Sequence, residues 1–274
     1  MLFRSVWTVQ EFLAVAAEPA VAFLKEKGAR IHVAEFPELD IEPLTIDALN
    51  AFKMRQRFVD QSLTQDTLTD FLRRYPELPG EIDLNEALGK YAPSLVAEAL
   101  ECATEPVEPS VMTLGEFTLR VEGLSTIEAP RVIITSSVDG VRGLRALLEG
   151  LVLFASGPTE HSLRLVTFKN RVTPFGPIPV DEARHLLKAW LEAISDRETP
   201  CALIGPLAIK TARALNRDDE TKPRIHWNDE ALAHRPGYQR VFQNDPEISE
   251  KHVDLSNRLV KPLLGYLGRY RGTL

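Results

Sequence analysis

Apolar positions along the chain recur first at helical spacing and then, from Val111 onward, at strand spacing. The opening "WTVQEFLAVAAEPAVAFLKEKG" has Thr8 followed three residues later by Glu11, apolar residues at helical spacing, and a stop at Gly28. This pattern predicts a helix entered through a capping box and broken or kinked at Pro19. A strand is expected at about residues 30–36. The stretches "LTIDALNAFKMRQRFVDQSL", "TLTDFLRRY" and "DLNEALGKYAPSLVAEALECA" follow as amphipathic helices, the last interrupted near Pro93.

The period then changes. In "EFTLRVEG", Phe117, Leu119 and Val121 alternate with Thr118, Arg120 and Glu122, which puts the apolar set on one face of a strand. "RVIITSS" reads as a more fully buried strand, "RGLRALLEGLVLFAS" as a strongly apolar helix, and "HSLRLVTFKN" as a strand. In that helix Leu147, Leu151 and Phe154 are expected to face the sheet. "PVDEARHLLKAWLEAISD" is a helix with Asp181 and Glu182 in its first turn, where carboxylates favour the helix dipole. Strand, strand, helix, strand, helix implies an α/β core. "IGPLAIKTARAL", a short stretch near "PGYQRVF", and residues 249–270 complete the chain as helices, with a polar charged loop between the first two.

Composition narrows the class. The chain is 44% hydrophobic and 26% charged, the balance of a globular protein with a real core, and its 19 prolines and 15 glycines are scattered rather than clustered into linkers or repeats. One domain spanning 1–274 is expected, with a helical part at 1–105 and an α/β core plus C-terminal helices at 106–274. No stretch approaches the roughly 20 apolar residues that span a bilayer, and Gln10, Glu11 and Glu18 interrupt any signal-like run, so a cytoplasmic location is expected. Cys102 and Cys201 lack the spacing of a disulfide framework, a zinc site or an iron–sulfur cluster. Neither phosphate-binding glycine motif is present, so nothing supports an ATP site.

Charge is uneven. Residues 28–105 hold 15 acids and 7 bases, a net of −8, whereas residues 131–274 hold 21 bases and 17 acids, a net of +4. The basic half permits contact with DNA, and ordinary solvated faces explain the same count.

Several segments resemble one family. "TVQEFLAVAAEPAVAFLK" is similar to the helix that opens the nuclease modules of the RecB and AddAB recombination enzymes, and "VEGLSTIE", "VIITSS" and "GLRALLEGLVLFASG" resemble their motif strands and following helix. The closer resemblance is to the C-terminal nuclease-like domain of the RecC family, the gamma subunit of exodeoxyribonuclease V. "EPLTIDALNAFKMRQRFVDQSL", "LEGLVLFASG" and "LSNRLVKPLLGYL" resemble segments of that subunit in the same order and at similar spacing. The likeness covers nearly the whole chain and rests on collinearity. It implies a PD-(D/E)xK, restriction-endonuclease-like core, with a mixed sheet between flanking helices. It also implies RecB-like and RecD-like partners, and a C-terminal piece of a longer subunit.

Nucleases of this superfamily hold Mg²⁺ with an acid from one strand and an acid-x-Lys set from the next. Aligned on Gly123, the first acid position falls on Thr126, with Glu128 only beyond it, and the acid-x-Lys pattern falls on Ile134, Thr135 and Ser136. The resemblance therefore implies a domain with no catalytic residues, no metal and no cofactor, acting as a scaffold in double-strand-break repair. The enzyme alternative is a nuclease whose ligands are displaced to Glu122, Glu128 or Asp139; a third reading is an unrelated α/β interaction protein. His161, His185 and His234 lie in a strand, a helix and a loop and suggest no shared site. Arg142 and Arg145 at the start of a helix, with Lys169 and Arg171 around a turn, are the candidate phosphate contacts for weak, sequence-nonspecific DNA binding. Solvent exposure or protein–protein ion pairs are the structural explanation of the same four residues.

Overall fold

A computed structural model describes residues 5–28, 104–106, 108–122, 124–127, 132–135, 141–157, 163–167, 172–195, 206–215, 241 and 246–268. The helices expected within 44–103, the strand at 30–36 and the helix near 236–242, apart from Val241, lie outside the described residues.

Strand β1 (Val6–Thr8) runs directly into helix α1 (Val9–Ala17), and α2 (Pro19–Glu26) follows after one residue. Thr8 closes the strand and caps the helix. Its Oγ1 accepts from the Glu11 backbone N–H at 3.3 Å, and the Glu11 carboxylate accepts from the Thr8 N–H at 3.0 Å, so the two groups satisfy orphan donors reciprocally. Pro19 ends α1 as expected. A residue before proline is pushed out of the helical region, and Glu18 sits at φ −138°, ψ 64° while Pro19 starts α2 as its first residue.

Strands β3 (Ser110–Leu114) and β4 (Phe117–Val121) form a hairpin through Gly115 and Glu116. A two-residue loop of this kind needs a left-handed backbone, and Gly115 supplies it at φ +64°. β1 pairs in parallel with the other edge of β4, giving the order β1–β4–β3. Alternation along these strands buries Trp7, Met112, Leu114, Phe117, Leu119 and Val121 on one face. The run "VEGLSTIE" is not one strand: after β4 the chain forms a separate β5 (Ser125–Ile127), paired antiparallel with β2 (Thr104–Pro106).

The second three-stranded sheet has the order β6–β7–β8, built from β6 (Val132–Thr135), β7 (Leu163–Thr167) and β8 (Val172–Phe175). β6 and β7 are parallel and joined through α3 (Val141–Ser156), while β8 returns antiparallel. Pro174 disguises β8 in the sequence, because proline cannot donate to a ladder and is found at sheet edges. Its carbonyl still accepts: Gly268 N–H bonds to Pro174 O at 2.8 Å and Gly176 N–H to Tyr266 O at 3.1 Å, so the C-terminal segment lies along this edge.

Helix α3 occupies the middle of the core. It packs against α1, β6 and α4 (Val180–Ser195), and Leu144, Leu147, Leu148, Leu151, Val152 and Phe154 are all fully buried. Gly150 marks its closest approach to the sheet: a Cβ there would stand 2.7 Å from Leu163 and 2.8 Å from the Phe175 ring. Phe154 and Phe175 meet edge to face with centroids 5.8 Å apart. Helices α5 (Pro206–Leu215) and α6 (Pro246–Leu255) pack together beside this layer. The expected final helix is real but irregular, since α6 continues through a π-helical turn (Ser256–Val260) into α7 (Lys261–Leu264) and ends at Gly265.

Leu151→Ala should lower stability by about 2–5 kcal/mol, the range for emptying a packed leucine site. Gly150→Ala should also destabilise, by about 1–3 kcal/mol, because an added methyl has no room between Leu163 and Phe175. Thermal unfolding checks both, and an unchanged melting temperature for Leu151→Ala would place α3 outside the core.

Candidate functional site

The sequence positions expected to correspond to a nuclease's acids and lysine fall in β5 and at β6. Thr126 is the central residue of β5 and the cross-strand partner of Glu105 in β2. Ile134 lies in β6 opposite Val166 of β7. Ser136 falls one residue past the end of β6, outside the described residues. The backbone thus assigns Thr126 and Ile134 to two different ladders. Glu105 is the carboxylate that sequence reasoning missed here. Strand register alone reveals it, because 19 intervening residues separate it from β5. A single carboxylate is a poor cation site, since a divalent ion such as Mg²⁺ or Ca²⁺ takes about six to eight oxygen ligands. Among the described residues no three His, Cys, Asp or Glu side chains converge as a metal-holding group. Of the displaced-ligand candidates, Glu122 is exposed just after β4, and Glu128 and Asp139 lie outside the described residues.

Of the four basic candidates, Arg142 is the second residue of α3 and Arg145 lies one turn in; Lys169 and Arg171 lie outside the described residues. The ends of the strands that lead to both basic segments are neighbours. Thr135 pairs with Thr167, so the chain leaves β6 towards α3, and β7 towards β8, at one end of the sheet. Arg145 is exposed, and its Nη2 donates to Gln10 Oε1 on α1 at 2.8 Å. That bond ties α3 to α1 and occupies part of a guanidinium that has five donors.

A sequence profile of the RecC C-terminal domain matches residues 5–218. The chain belongs to the RecC C-terminal domain family. No curated protein matches the chain. Family membership connects it with the gamma subunit of the RecBCD complex, exodeoxyribonuclease V. The matched span of this RecC C-terminal domain starts just before β1 and includes Thr126, Ile134, Ser136 and all four basic candidates. It ends shortly after α5, before the helix with the π turn. None of the helices described is long and apolar enough to cross a membrane.

Where the matched span meets the segment beyond it, the RecC-type domain carries a buried polar cluster that periodicity did not indicate. His252 of α6 lies 2.9 Å from Thr211 Oγ1 of α5, and Ser256 Oγ donates to the His252 carbonyl at 2.8 Å. All three side chains are buried. Next to them, the Trp190 indole N–H donates to the Leu259 carbonyl inside the π turn at 3.2 Å, joining α4 to the last helix. With no access to solvent, this histidine has the setting of a structural group rather than a catalytic one. His185, by contrast, is exposed on α4, and His161 and His234 lie outside the described residues.

Replacing Thr211 with valine keeps the shape and removes the hydroxyl from a buried imidazole. Stability should fall by about 1–3 kcal/mol, while Thr211→Ser should retain most of it. Denaturant titration of the two variants checks this, and equal stability for both would show that the hydrogen bond contributes nothing.

Proposed function

We propose that this RecC C-terminal domain is a nuclease-like fold without nuclease chemistry, working as a scaffold in a RecBCD-type helicase–nuclease that repairs double-strand breaks by recombination in the cytoplasm. It is a single PD-(D/E)xK-type domain, part of a longer subunit, and it contacts RecB-like and RecD-like partners that carry out ATP hydrolysis and cutting. One sequence feature supports the reading: by the motif alignment, Thr126, Ile134 and Ser136, all inside the matched span, fall where such a nuclease needs two acids and a lysine. A hydroxyl and an alkyl group do not replace carboxylates around Mg²⁺. The β6–α3–β7–β8 arrangement, a mixed sheet backed by a buried helix, is compatible with that core. A scaffold needs preformed shape and surface rather than a metal site.

DNA enters this reading as a weak, nonspecific contact through Arg142, Arg145, Lys169 and Arg171. The bond from Arg145 to Gln10 favours the structural role for that one residue, leaving the other three as the stronger phosphate candidates.

The purified domain should not cleave linear or single-stranded DNA with Mg²⁺ or Mn²⁺. Metal-dependent degradation that survives repurification and disappears in Glu105→Ala, Glu122→Ala or Glu128→Ala would overturn the reading in favour of a nuclease with displaced ligands.

Binding of DNA to the isolated domain should weaken steeply with salt, each phosphate contact adding roughly one unit to the slope of log affinity against log salt. Replacing the four basic residues together by alanine should flatten that slope in an anisotropy titration. Strong binding unchanged by the quadruple substitution would move the DNA surface elsewhere.

A further inference from the structure

Val6 and Val111 are the exposed large hydrophobic residues among those described, at 44% and 67% exposure. They lie on the same side of the same sheet. In the register of β1–β4–β3, one row across the strands is Val6, Thr118 and Thr113, and the next is Thr8, Arg120 and Val111. Trp7, Met112, Leu114, Phe117, Leu119 and Val121 take the opposite, buried face, so these six residues are the outer one. Five of the six are β-branched, and the only charge is Arg120, which is exposed, sits on the central strand and forms no hydrogen bond or ion pair among the described residues.

We infer that this outer face is a docking surface for a protein segment that lays apolar side chains across Val6, Thr118 and Val111 and sets a carboxylate against Arg120. Charge complementarity selects the occupant. An exposed cation flanked by valine and threonine offers a site for one anion, and an apolar segment docked across Val6, Thr118 and Val111 would exclude water from around it, the arrangement of an arginine anchor at the centre of a protein interface. A phosphate backbone would require several cations, yet the nearest charged neighbours in sequence are the exposed acids Glu116 and Glu122. Free DNA is therefore the wrong partner for this face, and the four basic candidates lie in other segments.

The inference rests on the scaffold reading, in which the domain works through protein partners. Its test uses the full chain with purified RecB-type and RecD-type subunits, and compares Arg120→Glu, Arg120→Lys and Val111→Lys. These side chains are exposed, so all three variants should unfold like the parent. Arg120→Glu and Val111→Lys should each weaken binding to one subunit by at least tenfold, with Arg120→Lys losing much less. Binding by Arg120→Glu within threefold of the parent overturns the inference and leaves the scaffold reading standing. A parent chain that binds neither subunit removes both. If sedimentation shows that the parent dimerises and Val111→Lys abolishes the dimer, the occupant is a second copy and the inference is again overturned.

Discussion

The contact between α3 and the β7–β8 hairpin organises this domain. Gly150 lets the helix settle against Leu163 and Phe175 at a distance that no other residue would allow, and Phe154 then meets Phe175 edge to face. The helix is buried on more than one side because α1 and α4 cover what the sheet does not. Each neighbour is held by a directional bond as well as by packing. Arg145 reaches Gln10 on α1, and Arg184 of α4 donates to the Ala155 carbonyl near the end of α3. Shape complementarity at α3 is thus the condition for the positions of both helices and of the hairpin.

That architecture is rigid at its centre. A core helix packed by leucines on several sides resists distortion, since close-packed interiors transmit strain instead of absorbing it. Strand β6 is part of this packing. β6 joins α3 on one side and β7 on the other, and Ile134 is one of its four residues.

The C-terminal segment closes the structure in a way that the family match does not include. The π turn, the His252–Thr211 pair and the Trp190 bond to Leu259 form a polar seam between α4, α5 and the last helix. Residues 266–268 then lie along the β8 edge. A sheet edge with unpaired backbone groups invites unwanted strand pairing, and covering it removes that hazard. The outer face of β1–β4–β3 is treated differently, since its valines and Arg120 stay open to solvent.

What the sequence determined by itself was local. Helical and strand periods located α1, α3, α4, α5, β4 and β7, the β-branched run at Val132–Thr135 located β6, the Thr8–Glu11 pair identified the capping box, and Pro19 marked a break, because each of these depends on residues a few positions apart. That Thr126 and Ile134 are not acids and Ser136 is not a lysine was equally legible, since it concerns residue identity at single positions. The short strands β1, β2 and β8 were not, because three or four residues carry no measurable period and Pro174 argues against a strand on its own. Pairing across large sequence distances belonged to tertiary structure alone. Only the fold brings Thr8 and Val111 to either side of Arg120, Glu105 opposite Thr126, and Thr211 against His252, since those neighbours are chosen by strand register and helix packing rather than by anything either segment carries alone.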